Sequence, residues 1–191
     1  DHLMETSLVL RAEEWLPSTP KHILLFNAFG WEPPQYAHLS TILNKDTKKK
    51  LSKRDGDVSV EDFQKKGYLP EAVVNFIALL GWNPKTEKEI FSLEELAQEF
   101  DVAKLNKAGA IFDLEKLDWM NGLYIREKNI KELVDLCRPY LAKYKEKLAG
   151  EYLEKIVSVE RERMKKLSDI AENTEFYFDA PEIDAKILKW K

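Results

Sequence analysis

The sequence predicts a mostly α-helical fold, and three observations support this. Helix-start signals recur along the chain, such as the Ser-Leu-Glu-Glu capping box at 92–95. Apolar residues between 73 and 80 follow the i, i+3, i+4, i+7 spacing of an amphipathic helix. Only Ser7–Leu10 and Tyr36–Leu43 are typical of extended chain, and nothing after Leu43 alternates as a strand does.

The first part of the chain alternates between extended and helical segments. Ser7–Leu10 predicts a short buried strand that leads into Arg11 and Trp15. A helix then begins with Thr19 as its N-cap and Pro20 at its first position, and it ends near Gly30. Tyr36–Leu43 is predicted to be extended.

The rest of the chain predicts helices, which become longer and more charged after Asn129. Ser59 caps a short helix that ends near Gly67, and Pro70 begins the next. In that second helix four residues are expected to face a core: Val73, Phe76, Ile77 and Leu80. Trp82 and Trp119 are also expected in the core. The remaining helices are predicted at about 93–100, 113–122, 130–147, 151–166 and 182–190.

Composition excludes several classes of protein. The chain has 191 residues, of which 44% are hydrophobic and 34% are charged, as expected for one large or two small globular domains. No apolar run approaches eighteen residues, so no membrane span is predicted. A single cysteine, Cys137, and three scattered histidines exclude an internal disulfide and the ligand spacing of a zinc site. The net charge of −4 indicates that any contact with RNA involves local basic patches.

The segment Lys45–Arg54 carries six cations and one anion in a chain that is acidic overall. A loop bearing Lys50, Ser52 and Lys53 has the ammonium and hydroxyl groups that bind polyphosphate. Such runs are more often solvated surface loops, so the segment by itself leaves both interpretations open.

Three stretches in register resemble one family. The first is Leu-Arg-Ala-Glu-Glu-Trp-Leu-Pro-Ser-Thr-Pro-Lys-His at 10–22. The second is Lys-Leu-Ser-Lys-Arg at 50–54, a variant of the KMSKS signature of class I aminoacyl-tRNA synthetases. The third is Phe-Asp-Leu-Glu-Lys-Leu-Asp-Trp-Met-Asn-Gly at 112–122. Together they resemble glutamyl-tRNA synthetase of the bacterial and organellar type.

The resemblance implies a division into three parts. Residues 1–57 are expected to form the end of a Rossmann-type catalytic domain, residues 58–128 an α-rich stem-contact domain, and residues 129–191 the beginning of a helical anticodon-binding region. The family's other signature, HIGH, is absent from these 191 residues. The chain is therefore expected to be a C-terminal-half fragment that does not activate glutamate by itself.

The resemblance also implies roles for individual residues. Lys50 and Lys53 are expected to be the catalytic cations that stabilise the departing pyrophosphate. Arg11 is expected to bind the glutamate side chain, with pairing to Glu13 or Glu14 as the alternative. The residues expected to bind ATP, which would arrive with Mg²⁺, are Glu14, Trp15, Lys50, Leu51, Ser52, Lys53 and Arg54. A core position is the alternative for Trp15, and no protein-bound metal is expected.

The C-terminal third carries a basic stretch that includes Arg161 and Arg163. By resemblance it lies near the anticodon-reading surface and binds tRNA, while the alternative is an exposed helix stabilised by i, i+4 ion pairs. His2, His22 and His38 are interpreted as structural or surface residues.

The resemblance implies an ATP-dependent ligase with tRNA(Glu), ATP and L-glutamate as partners. It also implies a monomer in the cytoplasm or organellar matrix, without a membrane. Two alternatives stay open. One is a relative of glutaminyl-tRNA synthetase, although that enzyme's β-barrel anticodon domains do not match the helical pattern after Asn129. The other is a non-catalytic tRNA-binding module.

Overall fold

The structure, a computed structural model of the protein, describes residues 1–52, 59–147 and 150–179. Lys53, Arg54 and the helix predicted at 182–190 lie outside these ranges. The chain divides into two compact units. The first unit comprises Asp1–Val58 and Val74–Leu114, and the second comprises Ser59–Val73 and Glu115–Lys191.

The first unit begins with a parallel βαβ arrangement. Strand β1 (Leu8–Ala12) is followed by a 3₁₀ helix (Glu13–Ser18), helix α1 (Thr19–Ala28) and strand β2 (Gln35–Leu39). β1 and β2 are parallel, which requires the crossover that α1 supplies. The predicted strand, helix and extended segment are therefore confirmed, but the strand is not buried as predicted, because Leu8 and Leu10 are exposed. The N-cap is Ser18 rather than Thr19, and its side chain makes no capping hydrogen bond.

A second pair of parallel strands joins distant parts of the same unit. Strand β3 (Ile42–Asn44) pairs with strand β4 (Ala110–Phe112). β4 contradicts the prediction that no strand follows Leu43, because three residues are too few to show alternation. A Cβ added to Gly109, just before β4, would lie 2.9 Å from the carbonyl oxygen of Thr41. The close approach of the two backbones therefore requires glycine there.

Helix α3 (Pro70–Gly81) is confirmed, but its buried face is not quite the predicted one. Phe76 and Leu80 are buried, whereas the Ile77 side chain is 48% exposed. Asn75 takes the inward position instead, and its Oδ1 accepts the backbone N–H of Phe91 at 2.9 Å.

A buried cluster of the first unit is formed by residues that follow α3 in the sequence. Trp82, Phe91 and Leu96 form a buried cluster that includes helix α4 (Leu93–Glu99), and a 3₁₀ turn follows at Val102–Lys104. Both hydrogen bonds of the predicted capping box are present, from the N–H of Glu95 to Ser92 Oγ and from the N–H of Ser92 to the Glu95 carboxylate. Trp82 is a core residue as predicted, but Trp119 is 45% exposed, so its predicted core position is wrong.

The second unit is helical throughout its described residues. Its elements are α2 (Val60–Lys66), α5 (Leu114–Glu127), α6 (Ile130–Cys137), a 3₁₀ segment (Arg138–Lys147), α7 (Gly150–Glu160), α8 (Asp169–Asn173) and α9 (Glu175–Phe178). The single helix predicted over 130–147 ends at Cys137 because Pro139 disfavours α-helical backbone at Arg138 and donates no N–H. In the described part of the chain, no helix combines the length and apolar character that a bilayer crossing needs.

Candidate active site

A cavity of about 430 Å³ opens where strands β1 and β2 end. Ala12 and Leu39, the last residues of these two strands, both line it. Ligands of α/β sheets bind at the carboxyl ends of parallel strands. The other lining residues come from the segments that follow the strands: Glu14, Ser40, Thr41, Ile42, Lys50, Leu51 and Ser52.

The described part of the cationic segment is a tight turn. Asn44 Oδ1 accepts the backbone N–H groups of Asp46 and Thr47 at 2.9 and 3.0 Å. Lys48 adopts a positive φ of 56°, and the N–H of Leu51 donates to the carbonyl oxygen of Ile42 at 2.8 Å. The turn thus brings the chain back along β3 and places Lys50 beside the cavity.

Lys50 forms an ion pair with Glu14 across this cavity. The two residues are 36 positions apart in the sequence, and their side chains are 58% and 50% exposed. An exposed ion pair stabilises a protein by only about 0–1 kcal/mol. A phosphate group could therefore displace the Glu14 carboxylate at little cost.

Arg11 is held by three side chains near the end of β1. Its Nε donates to His38 Nε2 at 3.1 Å, its Nη2 donates to Thr19 Oγ1 at 2.7 Å, and its Nη1 lies 3.0 Å from His22 Nδ1. The guanidinium carbon also lies 4.8 Å from the centre of the Tyr36 ring. Among the described residues, no carboxylate forms an ion pair with Arg11.

The alternative partners proposed for Arg11 are engaged elsewhere. The Glu13 carboxylate accepts the hydroxyl and the backbone N–H of Thr41 at 2.6 and 3.0 Å, and these hydrogen bonds lower the pKa of Glu13. Glu14 pairs with Lys50. Trp15, whose ring centre lies 6.0 Å from the Arg11 guanidinium, is 51% exposed and is therefore not a core aromatic.

Two histidines that sequence reasoning treated as structural or surface residues lie in this site. His38 is the direct register partner of Arg11 in the β1–β2 pair. His22 lies three positions after Thr19, on the same face of α1. That i, i+3 spacing was the one local signal available, because the register of β1 against β2 cannot be read from either strand alone.

The predicted tRNA-binding arginines lie in the second unit. α7 ends at Glu160, so Arg161 and Arg163 lie in a turn rather than on a helix as predicted. The Arg163 side chain is 72% exposed, and its Nη1 lies 3.9 Å from the buried Glu160 carboxylate. The Arg161 side chain is 32% exposed, and its Nε lies 3.6 Å from Glu162.

In the described ranges, no three His, Cys, Asp or Glu residues are grouped so that they could hold a metal ion. The cavity brings together four of the predicted ATP-binding residues, Glu14, Lys50, Leu51 and Ser52. Trp15 is near Arg11, while Lys53 and Arg54 lie outside the described residues.

A βαβ unit with a cavity at its strand ends, lined by a lysine and a carboxylate, is typical of a nucleotide-binding α/β domain. The family model for the catalytic domain of class I tRNA synthetases (E and Q) matches residues 1–119. The chain therefore belongs to this family. A model of an anticodon-binding domain matches residues 132–191.

Individual relatives agree with this assignment. The chain is 48% identical to the glutamate–tRNA ligase of Alkaliphilus metalliredigens over 184 residues, 93% of this chain and 37% of the relative. It is 46% identical to the glutamate–tRNA ligase of Prosthecochloris aestuarii, over all of this chain and 41% of the relative. The chain thus spans about two fifths of the length of these relatives.

Solved structures give the same result. A glutamate tRNA ligase from Elizabethkingia meningosepticum, crystallised with its amino acid, superposes with a TM-score of 0.87 at 39% identity. The superposition covers 97% of this chain and 41% of that one. The resemblance to glutamyl-tRNA synthetase and the order of catalytic-domain end before anticodon-binding region are confirmed.

Proposed function

We propose that this chain is the part of an ATP-dependent glutamate–tRNA ligase that holds the phosphates of ATP and contacts tRNA(Glu). The observation that carries the proposal is the cavity at the carboxyl ends of β1 and β2, where Glu14, Lys50 and Ser52 meet. The lysine cation can bind phosphate, and the carboxylate can accept hydrogen bonds from ribose hydroxyls. The serine hydroxyl can donate a hydrogen bond to the phosphates of metal-bound ATP.

The reaction needs positioning rather than a protein nucleophile. A carboxylate oxygen of glutamate attacks the α-phosphorus of ATP, the bond to the pyrophosphate oxygen breaks, and glutamyl-adenylate forms. A ribose hydroxyl at the 3′ end of tRNA then attacks the acyl carbon, and AMP leaves. Negative charge moves toward pyrophosphate in the first step, where fixed cations give the greatest stabilisation.

Lys50 is proposed to supply that charge, and Lys53 is proposed as the second catalytic cation. Leu51, Ser52 and Arg54 would complete the phosphate-binding segment. Glu14 and Trp15 would bind the adenosine part of ATP. Mg²⁺ would arrive with ATP and be held by its phosphate oxygens.

Arg11 is proposed to bind the substrate carboxylate. A guanidinium forms two parallel hydrogen bonds with a carboxylate, and no described acidic side chain competes for Arg11. Arg161 and Arg163 are proposed to contact the anticodon region of tRNA.

From the resemblance to glutamate–tRNA ligases we also propose that the protein is a monomer in the cytoplasm or organellar matrix. The proposed parts of the chain are the end of the catalytic domain at 1–57, the stem-contact domain at 58–128 and the anticodon-binding region at 129–191. The helical second unit favours the glutamate enzyme over a glutaminyl-tRNA synthetase with β-barrel anticodon domains.

The test uses a full-length chimera in which these 191 residues replace the matching segment of the Alkaliphilus metalliredigens ligase. Lys50→Ala or Lys53→Ala in the chimera is expected to slow ATP–pyrophosphate exchange by roughly 10²–10³, as loss of one charge-stabilising donor does. Lys88→Ala is the matched control because Lys88 and Glu95 form a second exposed ion pair in the first unit.

An exchange rate within a few-fold of the unaltered chimera for both Lys50 and Lys53 variants would contradict the proposal. The isolated 191-residue chain is expected to show no exchange.

The second candidate, a non-catalytic tRNA-binding module, is favoured only by the anticodon-domain match at 132–191. It predicts an inactive chimera in which the grafted segment still binds tRNA(Glu).

A further inference from the structure

We infer that His22 and His38 are positioning residues that hold Arg11 for the substrate carboxylate through their neutral, hydrogen-bond-accepting forms. The inference rests on the proposed function, since it concerns the same site. It assigns roles to two side chains that the sequence analysis interpreted as structural or surface residues.

The protonation states follow from the chemistry of the pair. Arginine has five N–H donors and no acceptor. Each imidazole nitrogen that faces the guanidinium must therefore offer a lone pair: Nε2 of His38 at 3.1 Å and Nδ1 of His22 at 3.0 Å. An imidazolium has no lone pair to offer, so both rings must be neutral for this arrangement to exist.

The three contacts occupy only some of the N–H donors of Arg11. His38, His22 and Thr19 each engage a different guanidinium nitrogen. Among the described residues these contacts take three of the five N–H groups and leave two, the number that binds a carboxylate bidentately. Because the three partners are uncharged, they orient the guanidinium without neutralising it.

Every described element packed around Arg11 contributes an uncharged group. β2 supplies His38 and the Tyr36 ring, α1 supplies Thr19 and His22, and the 3₁₀ helix supplies the Trp15 ring. Thr19 Oγ1 also lies 3.3 Å from His38 Nε2. Protonation of either histidine would place a second cation about 3 Å from the guanidinium and turn an acceptor into a donor. Arg11 would then be displaced.

This arrangement predicts that glutamate binding weakens in mild acid for a reason that lies in the enzyme. The carboxylates of free glutamate remain ionised down to about pH 5, since their pKa values lie near or below about 4.3. A rise in the KM for glutamate between about pH 7.5 and about pH 5.5 would therefore come from the protein.

The test compares isosteric with apolar variants in the full-length chimera. In His38→Gln the amide oxygen can replace Nε2, and in His22→Asn it can replace Nδ1, without titrating. His38→Leu and His22→Leu remove the acceptor. Each leucine variant is expected to raise the KM for glutamate by about 10- to 100-fold in ATP–pyrophosphate exchange, with little change in the KM for ATP.

The double variant His22→Asn/His38→Gln is expected to keep a near-normal KM for glutamate at about pH 7.5 and to lose its rise toward about pH 5.5. The same acid rise in this double variant, or leucine variants with unchanged KM for glutamate, would overturn the inference. If a leucine variant fails to fold, the pH dependence of the KM for glutamate in the amide double variant still tests the inference. An unaltered chimera without exchange activity would instead contradict the proposed function.

Discussion

At the scale of single residues, Lys50 and Arg11 of the first unit are held in position by different kinds of partner. Lys50 is paired with Glu14, but both side chains are about half exposed, so the pair is weak enough to be exchanged for phosphate. Arg11 is held by uncharged acceptors and keeps its full charge. Lys50 is thus held by a weak, exposed ion pair, whereas Arg11 is oriented by hydrogen bonds without an acidic partner among the described residues.

Cys137 illustrates the opposite case, a titratable group that burial makes inert. Its side chain is fully buried in α6, and this burial raises the pKa of the thiol to about 12. The thiol of the unfolded chain ionises near pH 8.5. The stability that follows from this difference is complete below that pH and is lost as the pH rises toward 12.

Cys137→Ala is therefore expected to flatten the alkaline part of the stability profile. Urea unfolding of the 191-residue chain at pH 8 and pH 10 measures this. The variant should lose about 2 kcal/mol less unfolding free energy over that interval than the unaltered chain. Tyr68 and Tyr177 also have raised pKa values, but they are present in both proteins and cancel in the comparison. Burial and then the neighbouring Cys137 raise the pKa of Tyr140, so removal of Cys137 changes the Tyr140 contribution in the same direction as its own. Equal losses in both proteins would contradict the expectation.

At the scale of secondary structure, helix ends in the second unit are set by local chemistry and then by packing. α2 begins with the capping box of Ser59 and Asp62 and ends at Gly67, whose φ is 86°. A Cβ on Gly67 would lie 2.6 Å from the backbone nitrogen of Ser168 and 2.9 Å from that of Leu167. This position thus excludes side chains for two separate reasons.

Gly67→Ala is expected to lower the free energy of unfolding by about 2 kcal/mol or more, because left-handed backbone and a backbone clash both oppose alanine. Gly150→Ala is the matched control, since nothing lies within 4 Å of its Cβ position in α7. The control should be neutral or stabilising by up to about 1 kcal/mol. Urea unfolding of both variants makes the comparison, and similar effects at the two glycines would refute this account of Gly67.

At the scale of the whole molecule, a net charge of −4 limits how the protein can contact RNA. Attraction to phosphate must come from local clusters, because the overall field repels a polyanion. The proposed cluster is the turn after α7, where Arg163 is exposed and Arg161 is partly exposed.

Arg161→Ala and Arg163→Ala in the full-length chimera are each expected to weaken tRNA(Glu) binding by about 10-fold, and loss of a phosphate contact should also reduce the salt dependence. Arg138→Ala is the control, since Arg138 is an exposed arginine of the same unit paired with Asp135. Filter binding at several salt concentrations measures this. Equal losses for Arg138→Ala and the other two would mean that the turn has no special role.

Features that depend on residues close together in the sequence were predicted correctly, whereas features that depend on distant residues were missed. The Ser92–Glu95 capping box, the Ser59 cap and the Gly67 helix end depend on neighbouring residues and were predicted correctly, as was the strand that leads to Arg11. β4 was missed because its partner lies far away in the sequence. The turn at Arg161 was predicted as helix because its composition is compatible with either state.

The sequence alone determined the family, the order of its parts and the residue types around the cavity, because motifs and capping signals act over a few neighbouring positions. Only the tertiary structure decided that Glu14 meets Lys50, 36 positions away, and that His38 faces Arg11, 27 positions away. These contacts depend on the parallel pairing and register of β1 and β2 and on the turn after β3. Strand register is set by packing between segments, so neither strand specifies it alone.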